Sequence, residues 1–226
     1  MSCAVRWYFR FSLSLRDIEE LLLERGVVVT YGTIRCWCDK FGAGFAQCAK
    51  AARCKPGSTW QMDEMFVTLR GEPYLLWRAV DERSAELDVL VQKRRDKAAA
   101  KRFVRRVLRS NPVPRKIVTD QLRSYPAAKA DIPELAHVKH DFVNAAARVN
   151  NRAENSHQPT RRRERPMCGF RDARRTQAFL SCFGPIRQYF ALPRHQMNAA
   201  WHRAVLKQRF ATWHGWTVIG APEKII

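Results

Sequence analysis

Three adjacent segments in which apolar and polar residues alternate, followed by a helical segment and a further strand, constrain the fold of this chain most. The alternating segments cover residues 59–69, 74–81 and 86–91. A period of two is the pattern of a strand with one buried face. Residues 96–108 then place apolar side chains at helical spacing, and residues 116–120 form a short apolar strand. The sequence therefore predicts three antiparallel strands, a helix and a fourth strand.

The segments that follow extend this pattern to an α/β domain. A short helix is predicted over residues 125–136 and a last strand over 137–143, with helices over 152–163 and 176–190. This element order is that of the ribonuclease-H-like fold, a mixed five-stranded sheet flanked by helices. In that fold the fourth strand lies beside the first strand and runs parallel to it. Residues that are far apart in sequence are thereby brought together at the ends of these two strands.

Three carboxylates lie where this fold would bring chain segments together. Asp63 is in the first strand, Asp120 ends the fourth strand, and Glu154 begins a basic segment with a helical pattern. Carboxylate oxygens are the ligands that Mg²⁺ prefers. Two divalent ions about 3.5–4 Å apart can activate a nucleophile and stabilise the leaving oxygen of a phosphodiester. The first hypothesis is that Asp63 bridges two Mg²⁺ ions, for which Mn²⁺ can substitute, while Asp120 and Glu154 each hold one.

Spacing alone leaves other assignments of these acids open. Glu64 is next to Asp63 and would point to the opposite face of the strand. Asp81, Asp88 and Asp96 could equally serve as turn or helix-capping carboxylates. The pattern of acids by itself therefore does not select one triad.

The first 42 residues are predicted to form a helix-turn-helix region that binds DNA. Apolar residues recur at helical spacing over residues 15–22, Gly26 ends this helix, and Thr30 can cap a second one. In a helix-turn-helix the second helix enters the major groove. An ordinary helical hairpin is the other interpretation. On the outer face of the second helix lie Tyr31, Thr33, Arg35 and Lys40.

The composition also predicts where the domains begin and end. Residues 43–58 contain Gly, Pro and Ala in a pattern that fits neither the helix before them nor the strand after them, so they are predicted to be a linker. The catalytic domain is predicted over residues 59–195. Residues 196–226 would then form a helical tail.

The charge of the chain points to a polyanionic partner. Its 226 residues include 41 Lys and Arg against 21 Asp and Glu, which gives a net charge of +20. Such a balance favours nucleic acid. Arg161 and Arg162 are the candidate phosphate contacts near Glu154, although a charged run can also be a solvated helix face. No membrane span or signal peptide is visible, and the seven irregularly spaced cysteines suggest reduced thiols in a cytoplasm.

Four segments together resemble the DDE-class transposases of bacterial insertion sequences, and among them the sixth insertion-sequence family. The resemblance implies an integrase-like catalytic core and metal-dependent DNA strand transfer, with Asp63, Asp120 and Glu154 as its catalytic residues. It also implies binding to terminal inverted repeats and to target DNA as a homodimer or higher oligomer. The interval of 34 residues from Asp120 to Glu154 agrees with that family. The segments are 60–64, 74–81, 119–125 and 150–161.

Two departures from the family pattern bear on activity. Relatives carry further residues before the segment that begins at Ala4, so the DNA-binding region is expected to be shortened at its N-terminus. Relatives often have Lys where this chain has Gln121. These departures motivate an alternative, a catalytically impaired remnant that only binds DNA. A ribonuclease acting on RNA–DNA hybrids would fit the fold class alone.

Overall fold

The chain divides into two compact units. The sheet unit is formed by Cys54–Leu180, and the helical unit by Met1–Arg53 together with Ser181–Ile226. The computed structural model describes residues 1–120, 122–143 and 151–218, and the side chains of residues 151–156, 194 and 218 lie outside this description.

Eight helices and five strands make up the described residues, with short 3-10 turns at Pro133–Leu135 and Arg194–Gln196. In chain order the helices and strands are α1 (Ser2–Arg10), α2 (Leu15–Leu23), α3 (Tyr31–Ala51), β1 (Thr59–Leu69), β2 (Glu72–Asp81), β3 (Glu86–Gln92), α4 (Lys97–Leu108), β4 (Lys116–Thr119), α5 (Ser124–Ala130), β5 (Lys139–Phe142), α6 (Asn151–Glu164), α7 (Ala173–Phe190) and α8 (Ala199–Val218).

The five strands form one mixed sheet with the order β3-β2-β1-β4-β5. Strands β1, β2 and β3 are antiparallel neighbours, whereas β4 lies parallel to β1 on one side and to β5 on the other. This arrangement, with helices packed against the sheet, is the ribonuclease-H-like fold. The predicted fold class and the parallel pairing of the first and fourth strands are therefore confirmed.

The turn between β1 and β2 is tighter than the sequence suggested. Arg70 and Gly71 both have positive φ, at 51° and 86°, which is the conformation of a two-residue hairpin turn that matches the twist of its strands. Glu72 and Pro73, which lie outside the alternating segments of the sequence, therefore belong to β2 and pair with β1.

The core of the sheet unit lies between one face of the sheet and helices α4 and α5. Trp77 of β2 is fully buried, and its ring lies 5.9 Å from that of Phe103 and 5.4 Å from that of Tyr125. Trp60 of β1 and Ile117 of β4 join the same cluster. Aromatic rings supply large apolar areas, so this cluster provides much of the burial that stabilises the sheet.

Helix α6 is joined to the sheet by a buried polar cluster. Arg78 of β2 donates from Nη2 to Oγ1 of Thr160 on α6 at 2.7 Å, and the same nitrogen lies 3.3 Å from Oε2 of Glu86 on β3. The side chains of Arg78 and Glu86 are each about 5% exposed, and Thr160 is fully buried. Burial lowers the pKa of Arg78 and the neighbouring Glu86 opposes that shift. A buried guanidinium in this setting needs its partners, which fixes where α6 sits on the sheet.

The helical unit is held together by stacked aromatic rings. Trp213 of α8 is fully buried and lies 4.2 Å from the ring of Phe45 on α3 in a stacked arrangement. Its ring also meets that of Phe190, at the end of α7, at 5.4 Å. No helix among the described residues combines the length and apolar character needed to cross a bilayer.

The predicted linker over residues 43–58 is wrong in its first half, because α3 continues to Ala51. Phe45, Ala46 and Ala49 are buried at helical spacing, and this burial outweighs the unfavourable helix propensity of glycine, about 1 kcal/mol per residue. Gly42 permits close packing, since a Cβ there would lie 3.1 Å from the ring of Phe9. The predicted domain end at residue 195 also differs, because residues from Ser181 onward group with the helical unit.

The helix pair predicted in the first 42 residues is present, with a longer connection than the usual three or four residues. The capping box at Ser14 begins α2, Gly26 follows its end with φ of 73°, and Thr30 caps α3 by accepting from the Thr33 amide at 3.3 Å. Asp96 caps α4 in the same way, by accepting from the Ala99 amide at 2.8 Å. Binding of DNA by this region stays a prediction.

We expect Phe103→Ala to lower the free energy of unfolding of the sheet unit by about 3–5 kcal/mol, since it empties a fully buried site between sheet and helix. Phe66→Ala is the matched control, because Phe66 of β1 is 69% exposed and its loss should change stability by no more than about 0.5 kcal/mol. Chemical denaturation followed by tryptophan fluorescence measures both, and equal effects would contradict the assignment of the core.

We expect Arg78→Met to lower the free energy of unfolding by about 3–5 kcal/mol, because it leaves the buried Glu86 carboxylate without its cation. The double variant Arg78→Met/Glu86→Leu removes both charges and should recover much of that loss. The same denaturation experiment checks this. A double variant no more stable than the single one would show that the pairing of these charges is not what stabilises this part of the sheet.

Candidate active site

The register of the two central parallel strands places Asp63 and Asp120 side by side. Gln61 of β1 pairs with Val118 of β4. Asp63 lies two residues further along β1, and Asp120 directly follows Thr119, the last residue of β4. Because neighbouring strands are about 4.8 Å apart, the two carboxylates lie level with each other at the edge where β4 ends. Their meeting, predicted from the fold, is thus supported by the observed register.

Each aspartate uses one oxygen locally and keeps the other for contacts across the site. Oδ1 of Asp63 accepts from the Glu64 amide at 2.9 Å, and Oδ1 of Asp120 accepts from the Leu122 amide at 3.1 Å. Both side chains remain partly exposed, at 18% for Asp63 and 32% for Asp120. Two fixed and accessible carboxylates at one edge are suited to bind a divalent cation.

Helix α6 reaches this edge through His157. Its Nε2 lies 3.4 Å from Oδ2 of Asp63, and the ring is almost fully buried. Burial lowers the pKa of His157, and the nearby carboxylate of Asp63 opposes this shift only in part. A lowered pKa favours the neutral imidazole, which lies beside Asp63 without adding a charge to the candidate site.

Glu154 belongs to the same helix, three residues before His157. Residues three apart lie on one side of a helix, about one turn from each other, so the helix backbone carries Glu154 toward the edge where Asp63 lies. Its side chain lies outside the described residues, as does Gln121. The catalytic role of Glu154 stays a prediction.

A further acid, Glu64, contacts residues of the candidate site in ways that the sequence did not reveal. Its side chain is only 1% exposed, and one carboxylate oxygen accepts from the Tyr125 hydroxyl at 2.8 Å. Its other oxygen meets Arg95, with Nη2 at 2.6 Å and Nε at 2.7 Å. Nη2 of Arg95 also lies 3.5 Å from Oδ2 of Asp120. Arg95 therefore bridges the buried acid and one of the two candidate metal ligands.

The pKa values in this network reflect its burial. Burial raises the pKa of Glu64, and the hydrogen bonds from Tyr125 and Arg95 oppose that rise. Burial and the nearby Glu64 raise the pKa of Tyr125 well above its usual value, so the phenol stays protonated and donates. For Arg95, burial acts to lower the pKa, but the bond to Glu64 and the charge of Asp120 outweigh it and the pKa is raised.

The basic run on α6 divides between surface and interior. Arg161 and Arg162 are exposed, as expected of residues that contact DNA, whereas Arg163 is 1% exposed and lies 5.9 Å from the ring of Phe179. The alternative interpretation of this run as a solvated helix face is therefore incorrect for Arg163.

The donor chemistry at this edge fits a magnesium ion. Asp63 and Asp120 offer hard oxygen ligands and no thiol or second imidazole. Among the described side chains no group of three His, Cys, Asp or Glu residues could hold a metal ion. A complete site therefore depends on a further ligand, and α6 carries Glu154 toward the same edge.

The contacts of Glu64, Tyr125, Arg95 and His157 were missed by sequence reasoning. The adjacency of Glu64 to Asp63 was a signal, because strand alternation sends consecutive side chains to different neighbours. The other partners are 31 and 61 residues from Glu64, and no local pattern connects them.

Comparison with known proteins identifies the family of the chain. The family model of the DDE domain matches residues 57–191. A transposase for the insertion sequence-like element IS431mec of Staphylococcus aureus is 30% identical over 182 residues, which cover 80% of this chain and 81% of that protein. A Staphylococcus aureus transposase for insertion sequence element IS257 in transposon Tn4003 matches with the same identity and coverage.

Solved structures with a similar arrangement include the catalytic domain of Mos1 mariner transposase, 12% identical, with 77% of this chain and 92% of that chain covered and a TM-score of 0.44. The catalytic core of HTLV-2 integrase is 19% identical, with 46% and 66% covered and a TM-score of 0.38. Family membership confirms the resemblance found in the sequence and does not favour a remnant that only binds DNA. The chain belongs to the DDE transposases of the sixth insertion-sequence family, metal-dependent enzymes that cleave and join DNA.

Proposed function

We propose that Asp63, Asp120 and Glu154 are the catalytic and metal-binding residues of this transposase, and that they act on the terminal inverted repeats of an insertion sequence. The observation that carries the proposal is the parallel register of β1 and β4, which sets Asp63 level with Asp120. The three carboxylates would hold two Mg²⁺ ions, or Mn²⁺ in their place. When bound, these ions activate the nucleophile and stabilise the leaving oxygen.

Cleavage and joining follow the same displacement at phosphorus. In cleavage, the oxygen of water bonds to phosphorus, the bond from phosphorus to the 3′ oxygen breaks, and that oxygen takes up a proton. In joining, the oxygen of the freed 3′-hydroxyl bonds to a phosphorus of target DNA and loses its proton, while the bond from that phosphorus to the target 3′ oxygen breaks and the leaving oxygen takes up a proton. The contribution of the protein is to hold the carboxylates still, with His157 against Asp63 and the Leu122 amide on Asp120.

Two surfaces are candidates for DNA contact. On α3, Tyr31, Arg35 and Lys40 are exposed and Thr33 is half-buried beside its cap. On α6, Arg161 and Arg162 are exposed beyond the buried turn formed by His157 and Thr160. Arginine binds phosphate through paired N–H groups, and a helix surface of this kind fits the major groove.

Transposition joins two ends of one element to a target, so we propose that the protein works as a homodimer or higher oligomer assembled on DNA. With a net charge of +20, association with the bacterial nucleoid in the cytoplasm is the setting that fits this partner. A role as a DNA-binding remnant has no observation in its favour among the described contacts of the active site.

Asp120→Asn should reduce Mg²⁺-dependent cleavage and strand transfer by at least about a thousandfold, because a neutral amide removes several kcal/mol of metal-mediated charge stabilisation. Asp63→Asn and Glu154→Gln should behave alike. The measurement is single-turnover cleavage of duplexes taken from the DNA flanking the coding sequence, with DNA affinity measured in parallel and expected to be retained.

Asp131→Asn is the matched control for this test, because Asp131 is 35% exposed, close to the 32% of Asp120, but pairs with Lys97 and Lys101. It should leave cleavage unchanged. Full strand transfer by Asp120→Asn would contradict the assignment of the catalytic residues.

For the helical unit, we expect Arg35→Gln/Lys40→Gln to weaken DNA binding and to reduce the slope of log affinity against log salt by about 2, one for each lost phosphate contact. Arg203→Gln/Lys207→Gln removes the same charge from exposed positions on α8 and should leave affinity for the terminal DNA nearly unchanged. Fluorescence anisotropy over a salt series measures both. Equal losses in the two double variants would show a nonspecific charge effect and contradict the placing of DNA on α3.

A further inference from the structure

The connection between β3 and α4 carries consecutive cations to the edge of the active site. Residues 93–95 are Lys, Arg and Arg, and the side chains of Lys93 and Arg94 are 58% and 85% exposed. Arg95 differs from both, because its guanidinium touches Glu64 and reaches to 3.5 Å from Asp120 while it remains 42% exposed. It is thus a cation fixed beside a candidate metal ligand with one side open to solvent.

Arg95 is held in place by a chain of contacts that begins in the core. Glu64, nearly fully buried, receives the hydroxyl of Tyr125 on one oxygen and the guanidinium on the other. Tyr125 is itself 2% exposed and packs edge-on against Trp77. The chain of contacts from Trp77 to Arg95 leaves the guanidinium little freedom, and a pre-organised arginine loses less entropy when it binds a ligand.

The donors of Arg95 are only partly used within the protein. A guanidinium has five N–H groups. Glu64 takes one from Nε and one from Nη2, and Oδ2 of Asp120 also lies 3.5 Å from Nη2. No partner of Nη1 lies among the described residues. The unused donors suit a ligand that accepts more than one hydrogen bond and carries negative charge. A phosphate has both properties.

We infer that Arg95 binds a backbone phosphate of the DNA next to the bond that is cleaved, and that Glu64 and Tyr125 orient it for this contact. The inference rests on the proposed function, because it takes Asp63 and Asp120 as the place of reaction. A DNA strand must bring its phosphates to a cluster of three carboxylates, and a fixed cation at the rim offsets that repulsion. The competing role is that Arg95 serves only as the counter-ion of Glu64 and Asp120.

The test is a series of terminal duplexes in which one phosphate at a time, on either side of the cleaved bond, is replaced by an uncharged methylphosphonate. Wild type and Arg95→Gln are compared in two measurements, single-turnover cleavage in Mg²⁺ and equilibrium binding in Ca²⁺. If Arg95 contacts a phosphate, wild type should lose about 10- to 100-fold at one position, the strength of a charge-assisted hydrogen bond. Arg95→Gln should show that loss on every duplex and no further loss at that position.

Arg106→Gln is the matched control, since Arg106 is 38% exposed and pairs with Asp88, a carboxylate that is 9% exposed. It should give the wild-type pattern across the series. Glu64→Gln should weaken the dependence on the same phosphate, and Arg95→Lys should restore part of the affinity without the full rate. If Glu64→Gln fails to fold, Arg95→Gln decides alone, because its losses are compared from duplex to duplex within one variant.

Losses in Arg95→Gln that simply add to the methylphosphonate losses at every position would overturn the inference and assign Arg95 the counter-ion role. The binding series in Ca²⁺ needs no cleavage. If the loss of affinity at one phosphate depends on Arg95 in this binding series while Asp120→Asn cleaves fully, the phosphate contact stands and the proposed catalytic residues are rejected. If Asp120→Asn loses cleavage but no phosphate depends on Arg95, the proposed catalytic residues stand and the phosphate contact is rejected.

Discussion

The parallel pairing of β4 with β1 is the contact on which the active site depends. Trp60 pairs with Ile117 in this register, and both side chains are buried in the core between the sheet and α4 and α5. A slip by one residue would turn these side chains out of the core, at a cost of about 1.5–3 kcal/mol for each large apolar group exposed. Apolar packing therefore fixes the register, and the register sets Asp63 level with Asp120.

Helix α6 is positioned by a different kind of interaction. The helix contains only two apolar residues, Ala153 and Pro159, so apolar burial cannot decide how it is rotated on the sheet. Arg78 bound to Thr160 and His157 against Asp63 provide two polar anchors one turn apart. A hydrogen bond is directional, so the bond from Arg78 to Thr160, together with the close approach of His157 to Asp63, sets the rotation and the height of the helix that carries Glu154.

Most strands and helices of the sheet unit could be predicted because local patterns encode them. Alternation over residues 59–69 and helical spacing over 96–108 gave bounds that differ from the observed β1 and α4 by at most one residue. The extension of α3 was missed because glycines interrupt the pattern, and the close approach of the Phe9 ring, which the sequence does not show, explains why a glycine fits at position 42. The division at Ser181 was missed because α7 continues across it without any break in sequence.

The parts of the candidate site that depend on strand order could be predicted from the sequence. The contacts that long side chains make between elements could not. That Asp63 and Asp120 lie on neighbouring segments follows from the strand order, which the succession of elements dictates. Arg95 meets Glu64 through a side chain with many rotamers, at the end of a loop that the sequence describes only as basic. Its position depends on burial of Glu64 and Tyr125, and burial is a property of the folded core.

Strand alternation gives the consecutive acids Asp63 and Glu64 separate roles. Asp63 meets His157 on α6 and stays partly exposed, whereas Glu64 meets Tyr125 on α5 and is almost completely buried. A buried carboxylate must keep a cation close, and here that cation also faces Asp120. The desolvation of Glu64 thereby holds a positive charge at the rim of a negative site. Under the proposed function DNA enters at this rim, so the burial of one acid would help the others to accept it.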